Sequence, residues 1–118
     1  MGLVYDDKIH FPHKMKLRGD LDRLRKKQAD CDEIIIVKNG LLTDAFYYNI
    51  VIENNDGLFT PKNPLLPGIM RSKLIQKHRI KVKDLNVMDL KLSKHIYLIN
   101  ALTNLGQIRF SPDQVINL

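Results

Sequence analysis

The amino-acid sequence predicts an α/β fold in which a mixed sheet is combined with short helices. Three observations carry that class. Short β-branched apolar runs recur along the chain, tight-turn signals separate them, and the segments with helical spacing are brief. At 118 residues there is room for one domain, residues 1–118, and no more. A chain of this size removes roughly two-thirds of its unfolded surface from water, and a hydrophobic fraction of 44% suits one modest core.

Taken in order, Asp20 to Ala29 sets Leu21 and Leu24 on one face among Arg23, Arg25, Lys26 and Lys27, behind a Gly19-Asp20 start. This predicts a short helix. Glu33 to Val37 is β-branched, too short for a helix and closed by Asn39-Gly40, so it predicts a buried strand ending in a tight hairpin turn. Tyr47 to Glu53 predicts a second strand. Asn54 to Gly57 then predicts a turn, and Leu58 to Thr60 a short strand. The proline-rich stretch from Pro61 to Pro67 excludes regular structure. A helix is expected over Ile69 to Lys77, another over Leu85 to Leu90 capped by Asp84, and strands at His95–Asn100 and Gln107–Phe110.

Composition narrows the function classes. The one cysteine, Cys31, permits no internal disulfide and fits a reducing compartment. Asp6, Asp7 and Lys8 interrupt the N-terminus where a signal peptide needs an apolar core, and no apolar run is long enough to cross a bilayer. A cytoplasmic protein without membrane partners is expected. The net charge of +6 is uneven. Residues 31–60 carry one base against five acids, and residues 61–118 carry ten bases against three acids. Such a field favours anions. Aromatic residues are few and not interleaved with the bases, which argues against a nucleic-acid stacking platform. His10 and His13, near Asp6 and Asp7, lack the further ligands a zinc site needs, and Asp30 and Asp32 flanking Cys31 would raise its thiol pKa. No metal site is expected.

Three segments bear groups suited to chemistry. Lys14 and Arg18 stand in a basic stretch, and a lysine in an apolar pocket loses its proton and can condense with an aldehyde. Asp44 follows the hairpin turn; buried there, its carboxylate would need a positive partner. Gly68 lets the backbone approach a ligand, and the first amides of the next helix, at Ile69 and Met70, would face an anion.

The order of these pieces resembles the class IV pyridoxal-phosphate-dependent aminotransferases, most closely their aminodeoxychorismate-lyase-like members. Lys14 and Arg18, Ile36 to Asp44, Tyr48-Asn49-Ile50, Thr60-Pro61, Pro64-Leu65-Leu66, Gly68 with Arg71, and Leu98 to Ala101 carry the likeness, which runs from about Tyr5 to Phe110. The resemblance implies the C-terminal domain of the D-amino-acid aminotransferase-like fold, with pyridoxal 5'-phosphate as cofactor. Lys14 would bond the cofactor's aldehyde and move the proton at the substrate's α-carbon. Asp44, in place of the family's usual glutamate, would keep the pyridine nitrogen protonated, and Arg18 would lie near the ring's phenolic oxygen. The backbone at Ile69 and Met70, with Asn100 and Ala101, would hold the phosphate. Met70 stands where the family commonly has a hydroxyl-bearing residue.

Family members carry an N-terminal domain before the lysine, and this chain reads as the C-terminal half without it. The expected activity is lyase or transaminase chemistry on an amino acid or an amino-deoxychorismate-type substrate, with a homodimer expected by analogy. A non-catalytic remnant of the family, serving as a structural or interaction domain, is the alternative. A basic nucleic-acid-binding module ranks last.

Overall fold

In the computed structural model the described residues are 2–5, 33–45 and 48–115. They form one eight-stranded mixed sheet that curves into a half-barrel, with two short helices. The predicted α/β class with a mixed sheet and short helices therefore holds. The expected helix over Asp20–Ala29, together with Lys14, Arg18, Cys31, His10, His13 and Tyr47, lies outside the described residues.

Strand β1 (Gly2–Tyr5) runs parallel to β2 (Ile34–Lys38). At the end of β2 the backbone reverses through Asn39 and Gly40, whose φ values of 52° and 79° are those of the primed turn that matches strand twist. Strand β3 (Leu41–Ala45) returns antiparallel, with an irregularity between Ile35 and Val37. The sequence reading named no strand over Leu41–Ala45. The next strand, β4 (Asn49–Asn54), leads through a turn into β5 (Gly57–Pro61); Tyr47, the predicted start, lies outside the described residues.

After an irregular proline-bearing loop comes helix α1 (Ile69–Gln76), as expected to within one residue. Strand β6 (Lys81–Lys83) pairs parallel with β5 and was not anticipated. Helix α2 (Val87–Lys91) is capped by Asn86, not Asp84. The Asn86 side chain accepts from the Asp89 amide, and the Asp89 carboxylate accepts from the Asn86 amide. Strand β7 (His95–Asn100) agrees with its predicted bounds, and β8 (Thr103–Phe110) begins four residues before the predicted Gln107. A single 3-10 turn, Pro112–Gln114, follows.

Strand β4 is the hub. Along one edge it pairs with β7 from Asn49 to Glu53; along the other it meets β3 at Asn49 and β5 from Ile52 onward. Alternation along it splits the core in two. Ile50 and Ile52 point into the larger cluster with Leu3, Val37, Leu42, Leu90 and Ile96. Val51 points to the opposite face, where Leu74 of α1 packs with Ile80 and Ile99. Asn49 shares the parity of Val51, so it lies on the α1 face of the sheet.

Candidate functional site

Asp44 occupies the β3 end of this face, directly across from Asn49. Its side chain is 4% exposed, and burial pushes the carboxyl up from the ordinary 3.8 to about 7. The amides of Leu66 and Leu65, the Arg71 charge and the Asn49 side chain oppose that rise without cancelling it. Leu66 N donates to Asp44 Oδ2 at 2.8 Å. The other oxygen, Oδ1, is buried and has no hydrogen-bond partner. The buried guanidinium of Arg71, on the first turns of α1, donates through one nitrogen to Pro61 O at 3.1 Å. Its Nε is likewise buried without a partner. Among the described residues these two are the buried side-chain atoms left unsatisfied, a condition that calls for a ligand or water.

The sequence explains how α1 comes to start beside the acid. Pro64 and Pro67 deny the loop regular structure, and side chains from the sheet take up its backbone groups instead. Asn49 Nδ2 donates to Leu66 O at 2.7 Å and Asn49 Oδ1 accepts from Gly68 N at 2.9 Å. Gly68 caps the helix in an extended conformation and supplies no side chain to the first amides, and the first turn carries no acid. The amides of Ile69 and Met70 therefore stand at the positive end of α1 without a resident anion. Gly68 was expected to leave room for a ligand. That room is taken by Asn49, because a Cβ at Gly68 would lie 2.6 Å from Asn49 Oδ1.

Asn100 closes β7 at the same end of the sheet, one residue after Ile99, which pairs with Asn49. Asn100 Oδ1 accepts from Leu102 N at 2.9 Å, shaping the β7–β8 turn, and Ala101 is exposed in that turn. The structure thus links Asp44 through Asn49 and the Leu66–Gly68 backbone to the start of α1, while Asn100 and Ala101 close β7 at the same end of the sheet. Lys14 and Arg18 lie outside the described residues. The sequence reading gave Asn49 no role of its own. Its signals were its place in Tyr48-Asn49-Ile50, one of the segments that carry the family likeness, and a polar residue opening the apolar run Ile50-Val51-Ile52. A separate cavity of about 330 Å³ opens beyond Leu65, lined by Lys38, Lys62, Asp84 and Leu85; Asp44 and Met70 are not among its walls.

An unpartnered carboxyl oxygen in low dielectric accepts a charge-assisted hydrogen bond, and free helix amides accept an anion. No helix among the described residues is long and apolar enough to cross a membrane.

Comparison with known proteins agrees. The sequence model for amino-transferase class IV matches residues 12–109. An uncharacterized protein of Haemophilus influenzae is 33% identical over 102 residues, which is 86% of this chain and 54% of the relative. A crystal structure of a candidate 4-amino-4-deoxychorismate lyase from Haemophilus somnus is 35% identical and superimposes with a TM-score of 0.80 over 88% of this chain and 54% of that one. The branched-chain amino acid aminotransferase of Escherichia coli, at 16% identity, shares the fold with a TM-score of 0.71, over 88% of this chain and 41% of its own. The chain spans about half the length of the relatives it matches. With most of its length matched by one family, this chain belongs to the class IV amino-transferases.

Proposed function

We propose that residues 1–118 are a single domain forming the lysine-bearing, cofactor-binding half of a cytoplasmic pyridoxal 5'-phosphate-dependent transaminase or lyase. Its substrate would be an amino acid or an amino-deoxychorismate-type compound, and its working form a homodimer. One observation carries the reading. A buried carboxyl with an oxygen lacking a partner stands beside a helix start with free amides, which matches a group carrying a basic ring nitrogen at one end and a phosphate at the other. When bound, that cofactor supplies an electron sink for bonds broken at the α-carbon of an amino substrate.

The chain's own residues do the rest. Asp44, on β3, holds a proton at the ring nitrogen. Burial makes the bare carboxylate unfavourable, so the pair is worth more here than in water. The amides of Ile69 and Met70, with the backbone at Asn100 and Ala101, hold the phosphate. Lys14 would hold the cofactor covalently through its amine and, once the substrate's amine has displaced it, would be the free base that moves the proton at the substrate's α-carbon. Arg18 accompanies the ring's phenolic oxygen. Burial of Asp44 in the sheet keeps water from its carboxyl.

The test is a spectroscopic titration of the purified chain with pyridoxal 5'-phosphate. Wild type is expected to give the absorbance band of a lysine-bound cofactor, and Lys14→Ala to lose it. No band in the wild type would remove the cofactor reading.

A further inference from the structure

We infer that Asn49 is a positioning residue that ties the Asp44 carboxyl and the first amides of α1 into one rigid unit through the backbone of Leu66-Pro67-Gly68. The inference rests on the cofactor reading above and names the residue that fixes the spacing between the two ends of that site.

The hydrogen-bond pattern carries it. Pro67 has no N–H, so the tripeptide offers few backbone groups, and three of them go to two side chains. Leu66 N donates to Asp44 Oδ2, Leu66 O accepts from Asn49 Nδ2, and Gly68 N donates to Asn49 Oδ1. Asp44 and Asn49 are themselves opposed across β3 and β4. Acid, loop and carboxamide thus close a ring, and α1 begins at the next residue, Ile69. Asn49 is 5% exposed, and a polar group so buried is tolerated only when its hydrogen bonds are made. Both ends of its carboxamide are used on this loop.

The fit has no slack. A methyl at Gly68 would meet Asn49 Oδ1 at 2.6 Å, a separation at which the carboxamide must move. The loop cannot drift without releasing Asp44 as well. Leu66 and Leu65 both stabilise the Asp44 carboxylate through their amides, and Arg71 is the charged neighbour facing it. A loosened loop therefore alters the acid and the helix start together.

The experiment uses the full chain with carbon-labelled aspartate, reading the Asp44 titration by NMR alongside pyridoxal 5'-phosphate binding. Asn49→Ala is expected to move the Asp44 midpoint upward from about 7, because the opposing hydrogen bonds weaken, and to reduce cofactor affinity by about tenfold. Gly68→Ala, which displaces the carboxamide without removing it, is expected to reproduce both changes, and Asn63→Ala, exposed on the same loop, neither. Gly68→Ala carries the test should Asn49→Ala not fold. Folded variants with a lowered melting temperature but wild-type Asp44 titration would overturn the inference, since Asn49 would then be a packing residue. If wild-type protein fails to bind the cofactor, the cofactor reading falls. The Asp44 titration in the ligand-free variants then decides the role of Asn49 by itself.

Discussion

At Asp44 the candidate site depends on one side chain sunk in the sheet, 4% exposed and gripped by the Leu66 amide. At the start of α1 it depends on main-chain amides beneath Ile69, a residue 75% exposed. The acid end cannot change its residue without changing its chemistry. The anion end needs only that the backbone begin a helix there, so the exposed side chain of Ile69 is free to vary, while Met70 is held by packing against the cluster beneath α1. On the proposed reading the amides, not the side chain of Met70, would carry the anion. Asp44, in contrast, departs from the family's usual glutamate only by one methylene and keeps the carboxyl.

The largest change in pH dependence should come from Asp44→Asn. With its carboxyl raised from 3.8 to about 7, the folded protein binds a proton more tightly than the unfolded chain. Stability from this group is therefore full below about pH 4 and is lost as pH rises to about 7. That interval corresponds to at most about 4 kcal/mol. Urea denaturation at pH 5 and pH 8 should show wild type losing this stability and Asp44→Asn lacking that component. A flat difference between the two proteins would mean that the carboxyl is not desolvated. Bound pyridoxal 5'-phosphate should flatten the wild-type dependence, because a cationic ring nitrogen favours the carboxylate.

Leu74→Ala comes next. Leu74 seats α1 against Val51, Ile80 and Ile99, and truncating such a residue typically costs about 2–5 kcal/mol. Chemical denaturation should show that loss, and hydrogen exchange should quicken across 69–76, the segment whose amides form the anion end.

Met70→Thr would restore a hydroxyl at the helix start and is expected to tighten phosphate-bearing ligands by a few-fold while leaving pyridoxal unaffected. Equal gains for both ligands would show that the hydroxyl acts elsewhere. The smallest change is expected from Ile69→Ala, which alters an exposed side chain above an unchanged amide. Stability should move by less than about 0.5 kcal/mol, and a large loss of cofactor affinity would contradict a backbone-made anion end.

The fold was legible where local chemistry decides structure. Asn39-Gly40 marked the hairpin, the run Ile34–Val37 a buried strand, and His95–Asn100 a strand to its observed ends. It was illegible where pairing decides. Lys81-Val82-Lys83 is only three residues long and exposed throughout; it is a strand because β5 offers it a ladder. Leu41–Ala45 was not named as a strand, because Leu-Leu-Thr-Asp-Ala shows no alternation, and it is held by its ladders to β2 and β4. Asp84 looked like the cap of α2, but the reciprocal bonds of Asn86 and Asp89 fixed the start two residues later. At the site, Asp44 and the α1 start were named from the sequence. Asn49 was not, because its partners lie 17 and 19 residues away in the chain and no local pattern announces them.

Strand β6 has one further consequence. Among the described residues it ends the chain of paired strands, with β5 its only strand partner. It is three residues long and carries Lys81 and Lys83, the latter set 5.4 Å above the Phe59 ring. A border so short and so charged is a poor template for another molecule's strand, and two ammonium groups brought together across such a seam would repel. Where a longer, apolar rim would invite aggregation, this one guards against it.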